Sequence, residues 1–322
     1  MNEPRFLPPM RMHPAYRHGD MTPWGGDQLK TVFGKEIPDD RTGEALEMSV
    51  IPGLESTDDN GETLTALIER YGSRLTGLPE GTEFPLLLKL LAAKGTLSVQ
   101  VHPDDEYAKV HENKLGKTEA WVILHAEEGA SLLYGIREGV TIDDLRRALT
   151  GGEDVEPLIQ RVQVKAGDVF YMPAGMVHAI GGGILLYEIQ QSSDVTYRLW
   201  DFNRVNAKGE KRPLHIQQSL DVIRPELKGL RAHMPEHPAQ EITRLLDVPA
   251  FTLDCVAADG ACILPAAETF RVLTALEPLT LRWLEGEMEL KAGDTVLLPA
   301  ACPEVGLEGH GRALVSGVGS RA

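Results

Sequence analysis

One pattern occurs twice in the chain. VKAGDVFYMPAGMVHAI begins at Val164, and LKAGDTVLLPAACPEVGL begins at Leu290. Lysine, alanine, glycine and aspartate match in order, and Pro173 aligns with Pro299. Such self-similarity points to two related modules placed one after the other. Around the first copy, short apolar runs are punctuated by Gly and Pro, as in RVQVKAGDVFYMPAGMVHAIGGGILLYEIQ. That density of short strands predicts an all-β protein, each module a sandwich or barrel, with a few helical insertions in the first. We place the modules at residues 1–240 and 241–322. The linker is expected at the end of the polar stretch 201–240, which carries Pro213, Pro225, Pro235 and Pro238.

Other elements follow from local signals. Residues 1–30 are rich in Pro and Gly and read as irregular, with a turn or close backbone approach at Trp24-Gly25-Gly26. EALEMSVIPG reads as a short strand. Leu64, Leu67, Ile68 and Tyr71 recur at helical spacing, and Gly72 marks the stop. FPLLLKLLAAKG is apolar except for Lys89 and Lys94, which suits a strand buried on both faces. Asp104 can cap a short helix in PDDEYAKVHENK. Thr141 opens a second helix, with acids in its first turn and glycines at its end. GKTEAWVILHAEEGASLLYGI reads as two strands turning near Gly129.

The stretch GTLSVQVH, residues 95–102, alternates as a strand does. Leu97, Val99 and Val101 share one face; Ser98, Gln100 and His102 share the other. An ordinary strand would turn that polar face to water. Downstream lie Glu119 in GKTEAW and His178 in GDVFYMPAGMVH. One Gln, two His and one Glu can form a compact oxygen and nitrogen ligand set for a divalent metal. The second repeat cannot match it. Glu304 stands where the first copy has His178, Ala301 replaces Gly175, and no QxH strand accompanies it. The second module is therefore expected to keep the fold and to lack the metal.

Gly167, Pro173, Gly175 and His178 resemble the second motif of the cupin superfamily, and Gln100-x-His102 resembles its first, with Gln in place of the usual leading His. LSVQVHPDDEYA, GKTEAW, QQSSDVTYRLWDFNR and TPWGGDQL together resemble the type I mannose-6-phosphate isomerase family in its short, two-cupin bacterial form. The resemblance covers nearly the whole chain. It implies an aldose–ketose isomerase that interconverts mannose 6-phosphate and fructose 6-phosphate through an enediol(ate). It implies one divalent ion per chain, with zinc expected, on Gln100, His102, Glu119 and His178. It also implies a catalytic arginine at Arg198, a phosphate end lined by Ser98 and Lys117, and further pocket positions at Lys89 and Glu188.

The chemistry of these residues fits that implication. Gln100 is neutral, so one carboxylate would face a dication, and the residual positive charge suits an anionic intermediate. Arg198 is a permanent cation with a planar fork of donors, fit to hold a phosphate or a developing enediolate. Its bland alternative is a surface ion pair. Lys117 is two residues before Glu119 and shares its face on a strand. Lys89, in a buried run, needs an anion or a route to solvent. Glu188 is open between two roles, a proton shuttle or a partner for a metal-bound histidine. His111, His125 and His215 read as structural or exposed.

Composition narrows the alternatives. The chain has 322 residues, 42% of them hydrophobic, enough for a true core. Its formal net charge of −16 argues against nucleic acid or an anionic membrane as partner. Three cysteines without a CxxC pair read as reduced, buried thiols. The first twenty residues lack a secretory apolar core, and no apolar run is long enough to span a membrane. A cytoplasmic enzyme on a small sugar phosphate is expected, as monomer or homodimer. Two rivals remain: another metal cupin such as a dioxygenase, whose sites resemble three His with a Glu, and a sugar-binding cupin without catalysis.

Overall fold

The repeated KAGD segment is a turn, and it is the same turn twice. The Lys165 N–H donates to Asp168 Oδ2 at 3.0 Å, and the Asp168 N–H returns to the Lys165 carbonyl at 3.1 Å. In the second copy Lys291 and Asp294 repeat both bonds at 2.9 and 3.0 Å. Gly167 and Gly293 hold φ of 89° and 85°, the left-handed region that favours glycine. Farther on, the N–H groups of Met176 and Cys302 donate to the carbonyls of Pro173 and Pro299. The copies then diverge. His178 is buried at the start of strand His178–Ile180, whereas Glu304 is exposed just before strand Val305–Val318.

The computed structural model describes residues 6–206, 208–236 and 241–320. Its described strands form three antiparallel sheets. One of seven strands runs in the order Leu230–His233, Asp168–Met172, Glu119–Ala126, Ile184–Gln191, Leu86–Ala93, Glu44–Met48, Ala15–Arg17. One of five runs Tyr197–Trp200, Val99–Val101, His178–Ile180, Ser131–Ile136, Ile159–Gln163. These two curl toward each other and enclose the polar face anticipated from GTLSVQVH. A nine-stranded sheet carries the second module, dominated by Phe251–Leu264 and Val305–Val318, which pair along their full lengths. The fold is all-β with few helices. Among the described residues no helix is long and apolar enough to cross a membrane.

The helices stand where capping chemistry places them. Thr63 accepts the Ala66 N–H and opens Leu64–Tyr71, which buries Leu64 and Leu67. Asp104 accepts the Tyr107 N–H and opens Asp105–His111. Thr141 and Asp144 exchange bonds in a capping box that opens Ile142–Gly151. Leu86–Ala93 is buried at every position, as its continuous apolar run requires. The three cysteines are free and buried, and burial pushes their thiols up to about 11.

Two expectations need correction. Residues 1–30 are not irregular throughout. Met10–His13 pairs with Thr295–Leu298, Ala15–Arg17 pairs with Glu44–Met48, and Gln28–Phe33 is helical. GTLSVQVH is a strand only at Val99–Val101, because Leu97 already turns its N–H to the Ile180 carbonyl. Within the polar stretch 201–240 regular structure also forms. It holds helix Ile216–Val222 and strand Leu230–His233, which extends the seven-stranded sheet. The expected module boundary and residues 237–240 lie outside the described residues.

The halves share one core. Leu7, Met48, Leu88 and Tyr187 cluster with Phe251, Phe270 and Leu297, and the Tyr187 hydroxyl lies 2.7 Å from Ser316 Oγ. Backbone bonds join them too: Phe270 and Ala300 donate to the carbonyls of Thr76 and Leu75. Gly77 sits at this seam with φ of 69°, and a Cβ there would stand 2.0 Å from the Glu268 carbonyl oxygen. Gly53 has a similar φ of 77° but open space around it. Gly77→Ala should therefore destabilise by about 3 kcal/mol or more, since backbone at the seam must move. Gly53→Ala should cost about 1–2 kcal/mol for its left-handed conformation alone. Equal shifts of the urea midpoint in the two variants would show that the halves do not depend on this contact.

Candidate active site and metal centre

Antiparallel pairing sets two rows of side chains facing each other across the first barrel. Residues paired directly across strands point to the same face. In the five-stranded sheet, Arg198 pairs with Gln100, and Gln100 pairs with His178. In the seven-stranded sheet, Lys89 pairs with Glu188, and Glu188 pairs with Trp121. Glu119 is opposite Gln190 on the same face of that sheet. Both rows turn inward. A cavity of about 370 Å³ lies between them, lined by Ser98, Gln100, Lys117, Lys89, Glu188 and Arg198 among others.

His102, Glu119 and His178 are buried and bring their ligand atoms within 4.8 Å of one another. Their tautomers follow from the hydrogen bonds. His102 Nδ1 donates to the Val195 carbonyl at 2.9 Å, and His178 Nδ1 donates to the Met176 carbonyl at 2.9 Å. A carbonyl only accepts, so each Nε2 is left with its lone pair. Both lone pairs face Glu119: His178 Nε2 is 3.0 Å from Oε1, and His102 Nε2 is 3.5 Å from Oε2. Among the described residues Glu119 Oε1 has no hydrogen-bond donor. A buried carboxylate oxygen aimed at imidazole lone pairs is unsatisfied by protein, and it is a donor set that a cation completes. The Gln100 amide adjoins it, 3.4 Å from His178 Nε2.

Lys117 enters this cluster. Its Nζ lies 3.0 Å from His102 Nε2 and pairs with Glu119 Oε2. Burial alone would raise the Glu119 pKa; the charge of Lys117 is the largest opposing influence, and the carboxyl is held well below the usual range. Burial, then the charge of Lys117, push His102 well below its ordinary value. The neutral imidazole and the ionised carboxylate are the forms a metal takes.

Glu188 sits apart from the histidines. Lys89 Nζ donates to Oε1 at 2.8 Å, and the Trp121 indole N–H donates to Oε2 at 2.9 Å. It is not the partner of a ligand histidine, since both Nδ1 atoms are taken by carbonyls. Lys89 also faces Glu44 at 3.7 Å, and Arg17 donates to Glu44 at 3.1 Å. Burial would lower the Lys89 pKa, but the charges of Glu188 and then Glu44 raise it; burial would raise that of Glu44, but the charges of Lys89 and then Arg17 lower it. Half-buried Arg198 donates from Nε to Ser98 Oγ at 3.3 Å and from Nη1 to the Pro213 carbonyl at 3.0 Å. Its backbone N–H bonds to His215 Nδ1, which gives that histidine a structural place.

Sequence reading missed Arg17, Glu44 and Arg212, which also line the cavity. Arg17 and Glu44 were hidden because nothing local shows that Ala15–Arg17 is an edge strand of the barrel. Arg212 lay in a stretch that reads only as polar, and KRP carries no local signal that sets it apart. In the second module the equivalent interior is filled by Val256, Leu264, Leu281, Leu298 and Leu307, and no ligand cluster occurs there among the described residues.

Comparison with known proteins identifies the family. Residues 11–128 match the family of the phosphomannose isomerase type I catalytic domain, a span that holds Lys89, Ser98, Gln100, His102, Lys117 and Glu119. Mannose-6-phosphate isomerase ManA of Bacillus subtilis is 40% identical over 91% of this chain and 94% of its own length. The mannose-6-phosphate isomerase of Streptococcus mutans is 45% identical over 69% of this chain and 68% of its own. The crystal structure of the mannose 6-phosphate isomerase from Bacillus subtilis superposes with a TM-score of 0.88 at 33% identity, covering 97% of this chain and all of that one. With such identity sustained over nearly its whole length, the chain belongs to the type I mannose-6-phosphate isomerase family.

Proposed function

We infer that this chain is an enzyme that interconverts mannose 6-phosphate and fructose 6-phosphate. One observation carries the inference: 40% identity across 91% of the chain to a mannose-6-phosphate isomerase includes the barrel in which His102, Glu119 and His178 converge. The rival readings, a dioxygenase or a non-catalytic cupin, are not favoured. The relatives are isomerases, and Gln100 stands where a dioxygenase site resembles a third histidine.

The reaction moves a proton from carbon 2 to carbon 1 of the open-chain sugar through an enediol(ate). We assign one divalent metal, with zinc our expectation, to Gln100, His102, Glu119 and His178. When bound, it supplies Lewis-acid stabilisation of the sugar oxygens. The chain's own residues do the rest. Gln100 adds a ligand without adding charge, so Glu119 is the one protein carboxylate in the set. Glu188, across the cavity, is assigned the proton transfer; what supports this is its ionic contact with Lys89 and its separation from both ligand histidines. Lys89 steadies that carboxylate and faces the substrate. Arg198 lies in the Gln100 row, next to the metal ligand, and holds a fixed charge where enediolate oxygen develops. Ser98 orients Arg198, and Lys117 contributes its ammonium beside Glu119. We assign the chemistry to module 1–240 and packing to module 241–322. The partner is a small sugar phosphate; a monomer or homodimer in the cytoplasm fits this role.

Two outcomes are expected. Elemental analysis should find about one divalent ion per chain, and His178→Ala should lose most of it; unchanged stoichiometry would remove His178 from the ligand set. Arg198→Lys keeps the charge and loses the planar fork. Its kcat should fall on the order of 10²-fold, as when one preorganised oxyanion donor is lost, with metal content unchanged. A variant with normal kcat and a raised KM would instead place Arg198 in ground-state binding.

A further inference from the structure

The cations of the cavity wall are unequally committed. Lys117 lies on Glu119, Lys89 on Glu188 and Arg17 on Glu44, each with a carboxylate of its own. Arg198 has no carboxylate partner among the described residues; its bonds go to Ser98, a carbonyl and a histidine. Beside it, Arg212 and Arg204 share a single acid, Asp201. Surplus positive charge therefore collects at one end of the cavity, where Arg198 and Arg212 both line the wall and the nearby carboxylate, Asp201, is already shared with Arg204 outside the lining. A phosphate monoester carries a charge of about −1.5 to −2 at neutral pH.

The segment that delivers Arg212 is built rather than loose. Phe202 and Asn203 both hold left-handed φ, 54° and 55°, a costly conformation for two consecutive non-glycine residues. That turn brings Arg204 back onto Asp201, where Nε donates at 3.1 Å. Val205 then bridges to Lys211, closing a short loop. Arg212 returns to Asp201, its Nε donating to Oδ2 at 2.7 Å and its Nη2 to Oδ1. Asp201 is only 5% exposed, so its carboxylate is fixed. Using the Nε–Nη2 edge leaves Nη1 of Arg212 without a hydrogen bond among the described residues. The next residue, Pro213, accepts from Arg198, which locks the two arginines together. Burial first, then the charge of Arg212, lower the Arg198 pKa, as expected for two cations sharing one space.

We propose that Arg212 binds the substrate's phosphate and sets the preference for phosphorylated over free hexoses, with Asp201 as the residue that positions it. The proposal rests on the isomerase reading above. It puts the phosphate at the Arg198–Arg212 end, beside Ser98, and departs from the phosphate position at Lys117 that the family resemblance implies, because Lys117 is committed to Glu119. A clamp on a group that does not react holds ground and transition states alike, so its loss raises KM and spares kcat.

The test uses the metal-loaded enzyme. Arg212→Gln should raise the KM for mannose 6-phosphate by about 10- to 100-fold, leave kcat within a few-fold, and weaken competitive inhibition by inorganic phosphate in parallel. Arg212→Lys should be intermediate and guards against misfolding of the Gln variant. Asp201→Asn should raise KM in the same direction, and its effect should largely vanish in the Arg212→Gln background, since a positioning residue acts through its partner. Metal content should not change. Unchanged KM and phosphate inhibition in the Arg212 variants, or a loss confined to kcat, would overturn the proposal. Fully additive effects of Asp201 and Arg212 would overturn the positioning role. Calorimetric titration of the loaded enzyme with inorganic phosphate reads the site independently of turnover, so a wild type without isomerase activity would refute the functional reading, not this one.

Discussion

The register of three short strands decides what this protein can do. Arg198 beside Gln100, and Gln100 beside His178, form one lateral row because antiparallel partners point the same way. A slip of one residue would turn Gln100 outward and carry Val99 and Val101 into the cavity. The row is opposed by Lys89, Glu188 and Glu119 on the other sheet. Neither row alone is a site. The curl of two sheets toward each other makes a polar interior from strands that would otherwise look half-solvated.

Burying so many charged groups is costly unless each has a partner. The arrangement here meets that demand with a graded set of contacts. Glu188, Lys89, Glu44 and Arg17 form a chain of alternating sign from the interior to the rim. The Glu119 cluster is different: one carboxylate oxygen has no donor, and both imidazoles present lone pairs. That local deficit is one a cation could fill. The second barrel shows the same architecture with the demand removed. Its KAGD turn is retained bond for bond, and its interior is packed with hydrocarbon. It shares a core with the first barrel and so supports it mechanically.

Much of this was legible from residues alone. The alternation of GTLSVQVH, the repeated turn, the capping residues Asp104 and Thr141, and the fully apolar run around Lys89 all carry local physical signals, and each appears in the fold. The misses are long-range. Met10–His13 finds its partner at Thr295–Leu298, and no local pattern encodes a pairing across that separation. Asp201, Arg204 and Arg212 gave no sign of their shared contact, because opposite charges in a polar stretch look alike whether they face water or clamp a loop. Lys117 was expected on the face of Glu119, and its contact with His102 could not be seen without the neighbouring sheet.

The central claim is that one metal ion, held between the two rows of the first barrel, is required for isomerisation. The most direct measurement is a titration of metal-stripped protein with zinc, followed by initial rates of mannose 6-phosphate isomerisation. The account predicts negligible activity at the start and a linear rise that breaks at about one equivalent per chain. Full activity in the stripped protein, or a break near two equivalents, would contradict it.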